Sequence, residues 1–246
     1  MAIQLEDVRD SEVEEFGPGE IIFTQGENLD HMYLVLEGEV VLKQDGKPAG
    51  TVAEGDVFGE MALVDRAPAN LLAEAVGDVR VLPLGRARFE SLLVQHPEFA
   101  RTVLRTMTLR LRQVNLAAGG AAGSPRVSDS TSRLLLAMKG NTAYAAGATI
   151  FSEGDKGVAM FFVQDGTVEL RVGGKAVQTI EAGAFFGEMA LIDDAPRSAS
   201  AHAATDCKLM PVDRDRFEVL IRRTPDFVVE MMRSIASRMR AMAKKK

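Results

Sequence analysis

Short apolar runs separated by glycines fill residues 16–84. Residues 32–36 and 39–42 are two such runs, and the punctuating glycines are Gly19, Gly26, Gly38, Gly46, Gly55 and Gly59. Short strands with regularly spaced turn signals are typical of a β-sandwich or barrel. Asp45-Gly46 and Gly173-Gly174 have the composition of tight hairpin turns. The pattern therefore predicts a mainly β fold.

The spacing of apolar residues becomes helical after Arg86 and again after Arg214. In each place a proline, Pro97 or Pro225, stands where the last helix would begin, in whose first turn a missing N–H costs little. The final helix carries one apolar stripe at three-to-four spacing: Phe227, Val228, Met231, Met232, Ile235, Met239 and Met242. This stripe is too apolar to remain in water. It predicts a helix that packs on the chain, moves as a lid, or joins two chains in a homodimer.

One segment of the chain is written twice. Residues 58–63, Phe-Gly-Glu-Met-Ala-Leu, return 128 positions later as residues 186–191. The same offset aligns residues 16–112 with residues 144–240 without a gap. Solenoid units recur every ~20–50 residues, so a repeat this long indicates a duplicated domain.

The duplication predicts two domains, residues 1–116 and residues 131–246. Residues 117–130 between them are rich in Gly, Ala and Ser, the composition of a linker. Short helices are expected over residues 1–15 and 131–139, at the start of each domain.

The second copy of the motif combines groups that suit a ribose phosphate. Gly187 permits close backbone approach, and the helix start at Glu188 offers free N–H groups that favour a phosphate. Arg197 can add a bidentate, charge-assisted contact to the same anion, and Ser198 a hydroxyl hydrogen bond. Glu188 would repel a phosphate, so it suits a sugar hydroxyl as an acceptor. The candidate ligand-binding residues are Phe186, Gly187, Glu188, Met189, Ala190, Arg197, Ser198 and Ala199.

Phe-Gly-Glu-Met-Ala-Leu followed by Pro-Arg-Ser-Ala resembles the phosphate-binding cassette of cyclic nucleotide-binding domains. That family includes the catabolite activator protein, kinase regulatory subunits and cyclic nucleotide-gated channels. Residues 23–27 and 151–155 match its early strand and turn, and residues 32–38 and 160–166 match its central strand. The resemblance implies two jelly-roll-like β-rolls (double-stranded β-helices), each with N- and C-terminal helices.

The resemblance also implies roles for single residues. Glu188 would bind the ribose 2′-OH, Arg197 would bind the cyclic phosphate, and a C-terminal helix would close over the base. Ser198 follows the arginine as in several bacterial cAMP binders, although a hydroxyl there also occurs in cGMP-selective members. We therefore expect cAMP as the ligand, with cGMP as the alternative, and no other cofactor.

The first copy of the motif has lost the arginine. Gly59, Glu60 and Ala62 are kept, but Ala69 and Asn70 stand where Arg197 and Ser198 stand in the second copy. Without a cation the phosphate loses its main partner, so we expect a degenerate site with a structural or interaction role. Arg66 is the alternative cation, three residues away in sequence.

Composition narrows the class of protein. The net charge of −6 and the pI near 5.3 argue against a nucleic-acid surface. The lone Cys207 excludes an internal disulfide or a multi-cysteine metal site and is expected to be buried on a strand. No stretch approaches the ~18 apolar residues of a membrane helix, and the N-terminus lacks the apolar run of a signal peptide. These features favour a cytoplasmic protein.

Several other classes of protein remain as alternatives, and each would require a particular feature. Glu188 and Arg197 could pair with each other in a purely structural β-roll. A transcription factor would need a helix-turn-helix, and a kinase regulatory subunit would need docking and inhibitor segments that residues 1–15 are too short to hold. An enzyme of the cupin type would need clustered metal ligands, and the three histidines are not so spaced. We therefore predict a non-catalytic cyclic nucleotide receptor that signals through helix rearrangement to an unknown protein partner or to an assembly.

Overall fold

The computed structural model describes residues 12–118 and 126–243, and the side chains within these ranges except those of 113–118, 130 and 241–243. The chain divides into two compact units, Met1–Thr106 and Met107–Lys246. The boundary falls within a helix, so the C-terminal part of that helix belongs to the second unit.

The first unit is a pair of antiparallel sheets with helices at its end. Its described strands are β1 Glu14–Phe16, β2 Ile21–Phe23, β3 His31–Glu37, β4 Glu39–Gln44, β5 Lys47–Ala53, β6 Val57–Phe58, β7 Leu72–Ala75 and β8 Val79–Gly85. Its helices are α1 Glu60–Asp65, α2 Arg86–Gln95 and the first part of α3 Pro97–Ala118. One sheet has the order β1-β8-β3-β6 and the other β2-β7-β4-β5.

The second unit repeats this arrangement. After α4 Asp129–Ala137 come β9 Thr142–Tyr144, β10 Thr149–Phe151, β11 Ala159–Asp165, β12 Thr167–Val172, β13 Lys175–Glu181, β14 Phe185–Phe186, α5 Glu188–Asp193, β15 Ser200–Ala203, β16 Cys207–Asp213, α6 Arg214–Arg223 and α7 Pro225–Ala243. Its sheets have the orders β9-β16-β11-β14 and β10-β15-β12-β13, which match those of the first unit strand for strand. The expected mainly β fold of two β-rolls with flanking helices is confirmed.

The predicted hairpin turns join β4 to β5 and β12 to β13. Asp45 and Gly46 have φ of 50° and 77°, and Gly173 and Gly174 have φ of 54° and 78°. Two consecutive left-handed residues make the type of two-residue turn whose twist matches the flanking strands. The turns fix the register of these strands and therefore which residues face the core.

Alternate strand residues fill the interior of each roll. In the second unit Val163, Val168, Ile180 and Phe186 share one buried cluster with Cys207. Cys207 lies on β16 and is buried, as its sequence context predicted.

The last helix of each unit begins at the predicted proline, α3 at Pro97 and α7 at Pro225. The apolar stripe of α7 is buried within the chain, with exposures of 5% or less from Phe227 to Met239, and the side chain of Met242 lies outside the description. Phe227 packs edge-on against Phe185 and Phe217 of the same unit. The described part of the stripe therefore leaves no exposed apolar surface for the homodimer that the sequence suggested.

Two expected boundaries differ from the structure. The helix expected over residues 1–15 falls mostly on residues 1–11, outside the described residues. Its predicted end is wrong, because Glu14–Phe16 forms β1 and pairs with β8. The expected linker overlaps the end of α3 and the start of α4, and residues 119–125 lie outside the description. Ser128 caps α4, since its Oγ accepts a hydrogen bond from the N–H of Thr131 at 3.3 Å.

Candidate functional site

A tight turn between β14 and α5 places the first candidate residues. Gly187 has φ of 75°, and a Cβ there would lie 2.8 Å from Nη1 of Arg197. Phe186, just before it, is fully buried in the core and anchors the turn. Glu188, just after it, opens α5 and is also buried. The Phe-Gly-Glu spacing therefore holds a carboxylate inside the roll, next to a left-handed backbone position that favours glycine.

Arg197 lies on the loop between α5 and β15 and points into the same space. The residue is only 6% exposed. Nη1 donates to the carbonyl of Gly187 at 2.6 Å, and Nη2 donates to the carbonyl of Ala159 at 2.5 Å. The guanidinium also lies over the ring of Phe151, with Cζ 4.0 Å from the ring centroid. Carbonyl oxygens and an aromatic face thus hold the cation in one orientation.

The charge of Arg197 has no ion-pair partner among the described residues. Its Nε is buried and has no hydrogen-bond partner there. Burial lowers the pKa of the Arg197 guanidinium, while the nearby carboxylates of Glu188 and Asp155 act in the opposite direction. A buried cation held mainly by neutral oxygens is costly unless an anion completes its surroundings.

Glu188 pairs with a different arginine, Arg238 of α7. Nη1 of Arg238 donates to Oε1 of Glu188 at 2.5 Å, and its Nη2 donates to Oγ of Ser234 at 3.2 Å. Oε2 of Glu188 is buried and has no partner among the described residues. The alternative in which Glu188 and Arg197 pair with each other is therefore wrong for this structure. The carboxylate keeps one free oxygen that can accept a hydrogen bond.

Both groups line one cavity. Its empty space is about 340 Å³, a figure that includes open solvent at the mouth. The lining residues are Phe151, Leu170, Gly187, Glu188, Met189, Ala190, Arg197, Ser198, Ala199 and Arg238. Seven of the eight candidate residues are in this set, and Phe186 supports it from the core. The one described hydrogen bond of Ser198 Oγ goes to Sδ of Met189, at 3.9 Å.

Three residues that shape this cavity were not among the candidates predicted from the sequence. Arg238 is the first, and its signal was that the repeat offset pairs it with another arginine, Arg110. Phe151 lies under the guanidinium and was noted only as part of a strand motif. Gly157 is the third, because a Cβ there would collide with the Cβ of Ala190 and lie 3.1 Å from Cζ of Arg197.

The equivalent space in the first unit is filled by apolar groups. Leu29 occupies the position of Gly157, Ala69 that of Arg197, and Leu71 that of Ala199. Ala69 belongs to the buried core cluster, and Leu29 and Leu71 pack against it. A larger side chain at one position thus accompanies the loss of the arginine at another, which keeps the interior close-packed.

The retained residues of the first copy keep their local geometry. Gly59 has φ of 76°, Glu60 and Ala62 are buried in α1, and Asn70 is half-buried. Arg66, the alternative cation, ends α1 in a left-handed conformation with an exposed side chain. It therefore does not take the place of the buried arginine.

The described residues contain neither a cluster of metal ligands nor a helix that could cross a membrane. No three His, Cys, Asp or Glu side chains are grouped to hold a metal ion in the described part of the chain. Among the described helices, none has the length and apolarity that a membrane crossing requires.

The fold and the cavity define a protein of two β-roll domains, one of which holds a buried cation at a small cavity. Residues 13–96 and 141–224 match the family model of the cyclic nucleotide-binding domain. These matches cover more than half of the chain, so the chain belongs to this family, and the recognition from the sequence is confirmed.

The chain is similar to regulatory subunits of cAMP-dependent protein kinase. The protein of that name from Yarrowia lipolytica is 28% identical over 215 residues, which are 86% of this chain and 54% of that protein. The one from Aspergillus niger is 30% identical over 242 residues, 92% of this chain and 56% of that protein. The chain thus spans about half the length of these relatives. They are regulatory subunits rather than enzymes, in agreement with the expectation of a non-catalytic protein.

Among solved structures, the chain is similar to the catabolite activator protein of Thermus thermophilus. The identity is 34%, the match covers 46% of this chain and 55% of that chain, and the TM-score is 0.42.

Proposed function

We propose that the second unit is a receptor for a cyclic nucleoside monophosphate, that it binds cAMP in preference to cGMP, and that the first unit does not bind nucleotide. The observation that carries the proposal is the buried guanidinium of Arg197, whose described hydrogen bonds go to two neutral carbonyls. A guanidinium has five N–H donors. Nε and the remaining donors are available to a phosphate, which would supply the missing negative charge.

Glu188 can accept a hydrogen bond from a sugar hydroxyl of the same ligand. Its Oε2 is a buried acceptor without a described partner, and it lines the cavity together with Arg197. A hydroxyl can donate to this oxygen, whereas a second phosphate oxygen would be repelled. An acceptor and a cation that share a small cavity suit a ribose whose phosphate is held close to its 2′-OH.

The preference for cAMP over cGMP comes from the relatives of the chain. The relatives found for both units carry cAMP in their names. Leu170 and Met189 add apolar surface to the cavity, which suits a purine without selecting one. The affinities for cAMP and cGMP must therefore be compared directly.

Calorimetric titration of the whole chain tests the proposal. We expect saturable binding of cAMP, weaker binding of cGMP, and still weaker binding of 5′-AMP, whose extra charge and open phosphate do not fit the same cradle. If neither cAMP nor cGMP gives more heat with the protein than with buffer alone, the proposal is overturned. A structural protein with vestigial sites would then be favoured.

We further propose that the output is a protein–protein interaction controlled by α7. Glu188 lies in the ligand cavity and Arg238 lies on α7, so a ligand that contacts Glu188 acts on the helix through one ion pair. The names of the relatives make a kinase catalytic subunit the first candidate partner, and nucleic acid and membrane are not expected. The expected cytoplasmic location belongs to the same proposal.

Immobilised protein and a purified kinase catalytic subunit provide the test of this partner. We expect capture without cAMP and release when cAMP is added. Capture that cAMP does not change would contradict control by the nucleotide, and no capture would require a different partner.

A further inference from the structure

A third arginine, Arg112, lies on the part of α3 that belongs to the second unit. Its Nε donates to Oδ2 of Asp193 at 2.7 Å and its Nη2 donates to Oδ1 at 3.1 Å. The side chain of Asp193 is 0% exposed and that of Arg112 is 20% exposed. A bidentate pair fixes direction as well as distance. This pair is therefore a defined structural contact rather than a solvated surface charge.

Asp193 organises the turn that leads to Arg197. It is the last residue of α5, and its Oδ1 also accepts a hydrogen bond from the N–H of Ala195 at 3.1 Å. Asp194, the next residue, has φ of 57°, in the left-handed region that aspartate tolerates better than most residues. Arg214 of α6 donates to the carboxylate of Asp194. Side chains from α3 and α6 therefore hold the turn between them.

Arg112 also holds the peptide bond that enters Arg197. Its Nη1 donates to the carbonyl of Pro196 at 3.1 Å. That carbonyl and the N–H of Arg197 belong to one planar peptide group. The N–H donates to the carbonyl of Asp155 at 2.8 Å. Both the carbonyl and the N–H of this peptide group are therefore hydrogen-bonded, which fixes the orientation of the peptide plane. The direction in which the Arg197 side chain leaves the backbone is fixed with it.

We propose that Arg112 is a positioning residue for Arg197 and so determines how tightly the second unit holds a phosphate. This inference rests on the proposed function. Arg112 is not among the residues that line the cavity. It acts on the ligand only through Asp193, the Pro196 carbonyl and the direction of Arg197.

Variants of Arg112 in the whole chain test this role. Relative to wild type, we expect Arg112→Ala to bind cAMP about tenfold more weakly, which corresponds to about 1.4 kcal/mol. Arg112→Lys should fall between the two, because a single ammonium cannot replace the planar fork. Arg105→Ala is the matched control, since Arg105 is an exposed arginine on the same helix, and it should bind as wild type does.

Adenosine distinguishes positioning from general support of the fold. Adenosine has no phosphate, so ligand-observed NMR should show the same weak binding to wild type, Arg112→Ala and Arg105→Ala. Parallel losses for cAMP and adenosine, or unchanged cAMP affinity in Arg112→Ala, would overturn the positioning role.

A second measurement keeps the two proposals apart. If the wild-type chain binds no cyclic nucleotide, the proposed function fails while the positioning role is still measurable. The Nε–H signal of Arg197 in NMR spectra should shift in Arg112→Ala and stay in place in Arg105→Ala. An unmoved signal in Arg112→Ala would refute the positioning role by itself.

Discussion

At the scale of single residues, the main difference between the two units is the buried guanidinium of Arg197. Arg197 fits inside the roll because Gly157 has no side chain to occupy its space. In the first unit, Leu29 and Ala69 replace this pair, so the same volume is filled without a charge. The presence or absence of a buried guanidinium thus depends on two positions that are 40 residues apart in each copy.

Arg197→Ala should remove most cAMP binding. A buried phosphate would lose its cation, a loss of about 3–5 kcal/mol by analogy with broken buried pairs, or on the order of a hundredfold or more in affinity. Calorimetric titration measures the change. Arg222→Ala, an exposed arginine of α6, is the control and should bind as wild type does. Wild-type affinity in Arg197→Ala would show that the phosphate lies elsewhere.

Glu188→Gln should weaken cAMP binding by about 1.5–3 kcal/mol, the scale of a hydrogen bond to a charged group. The ligand 2′-deoxy-cAMP lacks the hydroxyl that Glu188 is proposed to accept, so it should bind wild type with a similar loss. It should lose little more in Glu188→Gln, because the two changes remove the same contact. Fully additive losses would contradict the proposed contact between Glu188 and the 2′-OH.

At the scale of elements, α7 connects the cavity to the rest of the second unit. Its apolar stripe is buried, which favours a packed helix, while Arg238 extends from it to the carboxylate of Glu188. A ligand moves such a helix only if it binds two positions of the helix with different affinity. The ion pair supplies a contact that a ligand at Glu188 would strengthen or weaken.

Hydrogen exchange across residues 225–240 should change when cAMP saturates the protein. We expect the protection of backbone amides in α7 to differ between the free and bound states because Arg238 must accommodate the ribose at Glu188. In Arg238→Ala the nucleotide should change this protection less. Identical exchange in α7 with and without cAMP would mean that the helix is a fixed scaffold and that the output lies in another element.

At the scale of the whole molecule, duplication produced two similar folds with different interiors. The sheets of the two units have the same strand order and the same hairpin turns. Strand register depends on alternating apolar positions and turn residues, both of which the copies share. The residues proposed to bind a nucleotide are a small subset that can change without loss of the fold.

Titration should give one nucleotide per chain. The first unit has Ala69 in place of the arginine, and its equivalent space is packed with Leu29 and Leu71. The combined change Leu29→Gly, Ala69→Arg and Leu71→Ala should raise the stoichiometry toward two, since Glu60 is retained. Leu29→Gly with Leu71→Ala alone is the control and should stay at one. Two equivalent sites in the unmodified chain would contradict the proposal that the first unit does not bind nucleotide.

Much of the fold and most of the cavity were predictable from sequence. Glycines and alternating runs gave the strands and hairpins, and Pro97 and Pro225 marked the last helices. The N-terminal helix was misjudged at its end, because pairing of Glu14–Phe16 with β8 outweighs the local helical spacing. Local periodicity carries no information about a strand partner more than 60 residues away.

The sequence by itself determined the duplicated β-roll, the motif at Glu188 and Arg197, and the missing arginine of the first copy. Only the tertiary structure decided that Glu188 pairs with Arg238 instead of Arg197, that Gly157 makes room for the guanidinium, and that Arg112 holds the peptide before it. The physical reason is range. Strand alternation, turn conformation and repeats are local properties of a chain, whereas the partner of a buried charge depends on which distant segments the fold brings within hydrogen-bond distance.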